Sequence, residues 1–162
     1  MKTNLTMTNE SFNFLRGSSD FLNTILNNIT SCVLLLDKEM RLRAFNDALN
    51  TIFTSKKEEE LRYQKCGEAI GCAHQIEEQK ECGETTKCKS CELRIAALTS
   101  YMNNEIIEKD HIIRPFFDTN HQKVDKHLQF STRLFLFNHE KYIIMIIEDI
   151  TNLTESKARN VN

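Results

Sequence analysis

Residues 21–53 read FLNTILNNITSCVLLLDKEMRLRAFNDALNTIF, and the fold is decided there. At the centre lies residues 31–36, an apolar run with the length of one buried strand. Asp37-Lys38-Glu39 follows as a turn. Residues 40–46 then alternate, Met40, Leu42 and Ala44 against Arg41 and Arg43, as a half-buried strand does, so the two runs predict a hairpin. Upstream, Phe21, Leu22, Ile25, Leu26 and Ile29 share one helical face behind the N-cap candidates Ser18, Ser19 and Asp20. Downstream, Asp47 is placed to cap a short helix carrying Leu49, Ile52 and Phe53.

Working outward, residues 56–60 form a charge run, read as a solvated face. Residues 62–91 lose apolar content and gather five of the six cysteines. Residues 92–102, with Leu93, Ile95, Ala96, Ala97, Leu98 and Met102, predict a helix. Three strand-like segments follow, 105–117, 123–137 and 141–150. In the second, Leu128, Phe130, Thr132, Leu134 and Leu136 fall on one face, and Asn138-His139-Glu140 turns the chain into the third. Residues 151–162 open an exiting helix, and residues 1–17 read as a loose polar arm. Two strand groups separated by helices predict an α+β domain with an antiparallel sheet.

Composition narrows the function. At 162 residues the chain is one domain with a short extension. Its net charge is -2 and its pI about 6.2, so it lacks the basic footprint of a nucleic-acid-binding protein. The longest apolar run, residues 142–147, falls far short of the roughly 20 residues that span a bilayer. Residues 1–16 hold no apolar core of a secretory signal. A cytoplasmic protein without membrane or nucleic-acid partners is the expectation. In such a reducing compartment a cysteine cluster points to metal binding or redox chemistry rather than to a disulfide framework.

The opening residues 21–53 resemble the entry helix, first hairpin and following helix of a PAS domain. Leu36-Asp37 before the turn and Phe45-Asn46 after the second strand are typical. Residues 146–151 (IIEDIT) resemble the last strand and its Asp-Ile-Thr exit signal. The resemblance covers about residues 18–155. It implies a PAS fold, α+β, with a five-stranded antiparallel sheet of order 2-1-5-4-3 and helices flanking one face around a pocket. It also implies a sensory module, homodimeric through the N-terminal helix, that passes its signal to a downstream partner such as a histidine kinase. The expected organisation is an arm over 1–17, the PAS domain over 18–155 with a cysteine-rich segment at 65–92, and a tail over 156–162. No catalytic motif is found in the chain, so it reads as a sensor, alone or as part of a larger protein, and not as an enzyme.

The cysteine segment runs Gly67-Glu68-Ala69-Ile70-Gly71-Cys72, then Cys82-Gly83-Glu84-Thr85-Thr86-Lys87-Cys88-Lys89-Ser90-Cys91. The spacing from Cys72 is C-x9-C-x5-C-x2-C. Four thiolates complete a zinc or an iron–sulfur site, and a C-x2-C pair chelates one centre with both sulfurs. Gly67, Gly71 and Gly83 are read as bends that bring the thiols together. The pattern is similar to an insert in a subset of bacterial sensor PAS domains. Cys72, Cys82, Cys88 and Cys91 are therefore the expected metal ligands, with Cys66 and His74 as additional candidates. A [4Fe–4S] cluster is the leading cofactor, since a sensor gains from a redox-active centre. Structural zinc and a metal-free thiol–disulfide switch are the alternatives.

The remaining candidates read as structural. Cys32 lies in the first strand as a small apolar residue. His111, His121, His127 and His139 show no ligand spacing and read as surface or edge residues. Glu59, Glu60, Glu77 and Glu78 read as solvated. Haem is not expected, because the helix over 92–102 holds no histidine, and no flavin-binding cysteine motif is present. A thiol oxidoreductase using Cys88 and Cys91 would need a thioredoxin-like βαβ pattern that the chain lacks.

Overall fold

Strand β1 (Cys32–Leu36) is buried on both faces, which is why it reads as an unbroken apolar run. It pairs antiparallel with β2 (Leu42–Phe45) on one side and with β5 (Glu140–Asp149) on the other. β4 (Lys123–Phe137) pairs with β5, and β3 (Ile107–Phe117) completes the sheet. The order is β2-β1-β5-β4-β3, the expected one. This computed structural model describes residues 11–14, 20–53 and 56–160. Ser18, Ser19 and most of the predicted arm lie outside the described residues.

Alternation along the strands sorts two apolar faces. Cys32, Leu34 and Leu36 of β1 join Ile143, Met145 and Ile147 of β5 and Leu128 and Phe130 of β4 in the main core. The helices cover that face: α2 (Ala48–Ile52), α3 (Glu58–Leu61), α4 (Cys66–Ile70), α5 (Ala73–Glu78) and α6 (Glu92–Asn103). α6 is joined to β4 by buried hydroxyls. Ser100 and Thr132 oxygens are 2.7 Å apart, and the Thr132 hydroxyl donates to the Ala96 carbonyl at 3.0 Å. Val33, Leu35, Ala44 and Tyr142 form a second cluster on the opposite face.

The structure corrects several expectations. Ala44 does not share a face with Leu42. The β1–β2 register shifts between Leu35 and Leu36, so Arg43 is an extra residue that sends Ala44 to the far side, as a bulge does. Asp47 holds the N-cap position of α2 but makes no side-chain capping bond, because its own backbone is already helical. α1 (Asp20–Asn28) forms, but Leu22 and Ile25, and Ile29 just beyond it, are exposed, whereas Leu26 packs against the second cluster. Part of the loose arm is integral. Ser11 Oγ donates to the Phe45 carbonyl at 2.7 Å and accepts its N–H at 2.9 Å, and Phe12 packs into the second cluster. Ser11 thereby serves the edge of β2, whose backbone would otherwise lack a neighbour there. In β4, Leu128, Phe130 and Thr132 are buried, whereas Leu136 is exposed.

The second hairpin turns through Asn138 and His139, both at positive φ, as a tight turn between twisted strands requires. α7 (Thr151–Asn160) then leaves the sheet. Asp149 Oδ1 accepts the Thr151 N–H and hydroxyl, and its other oxygen pairs with Lys126 Nζ at 3.1 Å. The Thr151 hydroxyl in turn accepts the His127 N–H at 3.0 Å. Among the described residues, no helix is long and apolar enough to cross a membrane.

Candidate functional site

The opening stretch of the cysteine segment, residues 63–72, is clasped at both ends to the sheet. At one end, Leu42 and residues 63–66 exchange backbone bonds: the Leu42 N–H donates to Gln64, the Tyr63 N–H to Leu42 and the Cys66 N–H to Met40. This extends the β2 edge. At the other end, Cys72 forms an antiparallel bridge with Phe116 of β3, and the Phe117 N–H donates to the Gly71 carbonyl at 3.0 Å. β2 and β3 are opposite edges of the sheet. The five-residue helix α4, about 7 Å long at 1.5 Å per residue, spans between them. The sheet is therefore curled, and the cysteine segment closes it.

The glycines fit this closure in different ways. Gly71 ends α4 in the left-handed conformation at φ 76 and turns Cys72 toward β3. Gly67 is not a bend. It lies within α4, and a Cβ there would meet Cys82 Cβ at 2.9 Å and Cys82 Sγ at 3.0 Å. Its missing side chain is the space that Cys82 uses. Gly83, at φ 101, lies beneath the Arg94 guanidinium, which a Cβ would meet at 2.8 Å.

All five thiols of the segment, Cys66, Cys72, Cys82, Cys88 and Cys91, line one cavity of about 30 Å³ on the inner side of the sheet. Its wall also includes Arg94 and Arg114. The Cys88 sulfur accepts the Gly83 N–H at 3.1 Å and lies 2.9 Å from the Thr85 hydroxyl oxygen. The Cys82 N–H donates to Glu68 Oε1 at 3.1 Å. Cys91 holds the N-cap position of α6, and its carbonyl accepts the Ile95 N–H. Burial pushes the Cys82 thiol up to about 11. Burial also raises Cys91, although Arg114 and the N–H groups opening α6 pull the other way. A thiol raised in this way is the opposite of the activated nucleophile a C-x2-C oxidoreductase uses. Cys66 is raised well above its usual value by its burial and by the neighbouring sulfurs.

The expected ligands are thus brought together in space, with Cys66 among them. His74 is not part of the cavity wall. It sits half-buried on α5, with its imidazole held below its ordinary pKa by burial and by Arg114. All six cysteines are free thiols, and among the described residues no group of three or more His, Cys, Asp or Glu side chains is already arranged to hold a metal ion. The sulfurs share a cavity without converging on a point. Their chemistry fits a thiolate-held centre: soft donors, an amide and a hydroxyl on one sulfur, and a Gly67 cradle for another. Cys32 lies in β1 as a fully buried apolar residue, and burial raises its thiol far above the ordinary range.

Sequence reasoning missed several groups. Arg114 was not singled out, although an arginine inside an apolar strand is a visible signal of a buried partner. Glu77 and Glu78 are more than solvated: Glu77 pairs with Lys123 at 3.0 Å, and Glu78 accepts the Thr86 N–H at 3.0 Å and its hydroxyl at 2.8 Å. Glu78 thereby pins the loop carrying Cys82 and Cys88. His111 and His127, on adjacent strands, are within hydrogen-bond distance at 2.7 Å. Only the β3–β4 register reveals that pair.

Solved structures share this architecture. The PAS domain of nitrogen regulation protein NR(II) from Vibrio parahaemolyticus matches with a TM-score of 0.55 at 14% identity, over 78% of this chain and 95% of that one. The chain has the PAS fold. The PAS domain of BvgS from Bordetella pertussis matches with a TM-score of 0.56 at 17% identity, over 88% of this chain and 94% of that one. The PAS domain of an HTR-like protein from Haloarcula marismortui matches with a TM-score of 0.54 at 12% identity, over 80% and 89%. No family model and no curated protein matches the sequence. At these identities the PAS likeness is one of fold.

Proposed function

We propose that this PAS domain is a sensory module whose receiving site is the cysteine cavity, with a metal centre held by Cys72, Cys82, Cys88 and Cys91. The observation that carries the reading is the gathering of these thiols in one cavity closed against the sheet. Cys66, deeper in the core, is the spare thiol. An iron–sulfur cluster would supply redox chemistry at this place and make oxygen or redox state the signal. The chain's own contribution is mechanical. The segment joins the β2 edge to the β3 edge, so a change in how its thiols are held alters the closure of the sheet and reaches the exit helix through β4.

The cavity volume favours a second reading for the occupant. About 30 Å³ suits a single ion. A [4Fe–4S] cluster, with eight heavy atoms, needs the loop over 79–91 to move outward. Structural zinc would then clip the segment, and the sensed signal would lie elsewhere in the domain. The exposed Leu22, Ile25 and Ile29 support the homodimer expected through the N-terminal helix, and α7, which leaves the sheet, is the element that would meet a downstream partner. No catalytic role is proposed.

The test is metal, iron and acid-labile sulfide analysis of the full chain purified without oxygen. Four irons and four sulfides, as the [4Fe–4S] formula requires, with broad visible absorbance, establish the cluster. One zinc per chain and a colourless sample establish the clip. Protein that retains no metal and takes up neither zinc nor iron with sulfide sinks the reading.

A further inference from the structure

Arg114 stands where a cation is costly. It lies on the inner face of β3 between Ile112 and Phe116 and is 8% exposed. It pairs with Glu92 Oε1 through one nitrogen at 3.3 Å, and the Glu92 side chain is itself 39% exposed. It shares the cavity wall with Cys72 and Cys91. A guanidinium carries five N–H donors and no acceptor, and burying it without matched negative charge is strongly unfavourable. Neutral thiols are weak acceptors and do not meet that need. Arg94 adds a second guanidinium to the same wall, flat against Gly83. The carboxylates near them are Glu92, half-exposed, and Glu68, which is engaged with the Cys82 N–H.

Thiolates, unlike thiols, are charged acceptors that a buried guanidinium can use. Four thiolates around a dication carry a net charge of minus two, and a [4Fe–4S] core in its doubly positive state gives the same net charge. We infer that Arg114, assisted by Arg94, is the positioning cation of this site, favouring an anionic thiolate–metal centre over neutral thiols and steadying Cys72 beside strand β3. The inference rests on the four-thiolate reading above and deepens it by naming the charge class of the occupant and the residues that match it. Arg114 shares the cavity wall with the ligands, so it acts on the centre through the thiolates beside it.

The experiment uses the full chain, reduced, with zinc alone as the probe and a chromophoric chelator as competitor. Arg114→Gln is expected to weaken zinc binding by roughly ten- to a hundredfold, the usual cost of losing an outer-shell partner. Arg114→Lys, which keeps the charge, is expected to recover most of that loss, and Arg94→Gln to show a smaller one. The metal-free Arg114→Gln protein is expected to melt no lower than the metal-free wild type, because an under-compensated buried cation has been removed. Zinc binding by Arg114→Gln as tight as in the wild type overturns this inference and leaves the four-thiolate reading intact. A metal-free Arg114→Gln protein that melts well below the metal-free wild type makes Arg114 a structural residue and also overturns it. If Arg114→Gln fails to fold, an Arg94→Gln protein with unchanged zinc affinity overturns it. A wild type that takes up no zinc removes the four-thiolate reading and this inference together.

Discussion

Single residues decide how near the sulfurs come. Gly67 is the sharpest case, because it lies in a helix whose backbone any residue can adopt, yet the space beside it belongs to Cys82. Gly67→Ala is expected to displace Cys82, to cost about 1–3 kcal/mol as overpacking does, and to lower metal affinity further. Thermal melting with and without zinc checks this. Unchanged affinity would show that Cys82 does not need the cradle. The sequence marked Gly67 as special and misread the reason, because a glycine required for a turn and a glycine required for close approach look alike in one chain. Cys66 shows the same limit. Its position in the pattern made it an extra thiol, but only packing places it beneath the others.

At the scale of elements, the junction between β5 and α7 is the most determined part of the exit. Asp149 holds Thr151 and Lys126 together, and Thr151 holds β4 through the His127 N–H. Burial alone would raise the Asp149 carboxyl. The Thr151 bonds and Lys126 outweigh it and hold the pKa below its ordinary value. The sign follows. A depressed folded pKa contributes stability above the unfolded value, about 4, and that contribution is lost as pH falls through the folded pKa. Asp149→Asn is therefore expected to loosen α7 at neutral pH by about 1 kcal/mol, the scale of a helix-start hydrogen bond, and to abolish the acid-dependent part of that loosening. Hydrogen exchange of the 151–160 amides at pH 7 and pH 3 measures both effects. Equal acid sensitivity in wild type and variant would assign the loosening to another group. This junction was legible as the Asp-Ile-Thr signal, since its residues are consecutive. The bulge at Arg43 was not, because alternation counts residues and a bulge inserts one.

For the whole molecule, the two sheet faces have different coverage. The inner face is filled by α2 to α6 and the cysteine segment, whereas among the described residues Phe12 and Leu26 cover part of the outer cluster. α1 leaves Leu22 and Ile25 exposed, with Ile29 just beyond it, an apolar strip that a second copy would bury. The full chain is expected to sediment as a dimer, and Ile25→Glu as a monomer, since a charge cannot enter such a contact unpaired. A wild-type chain that remains monomeric at high concentration would remove the dimer from the proposal.

The sequence by itself determined the strand composition, the two hairpins, the long helix and the exit signal. Each is written in local periodicity and in adjacent residues, where backbone sterics and one-sided burial act over a few positions. Of the cysteine segment it determined the residue types and their spacing. Only the tertiary structure decided that the segment bridges the two edges of a curled sheet, that Ser11 and Phe12 belong to the domain, that His111 meets His127, and that Arg114 enters the thiol cavity. Those contacts join residues far apart in the chain. Strand register and sheet curvature place them, and both emerge from the summed packing of the core, which no short stretch of sequence contains.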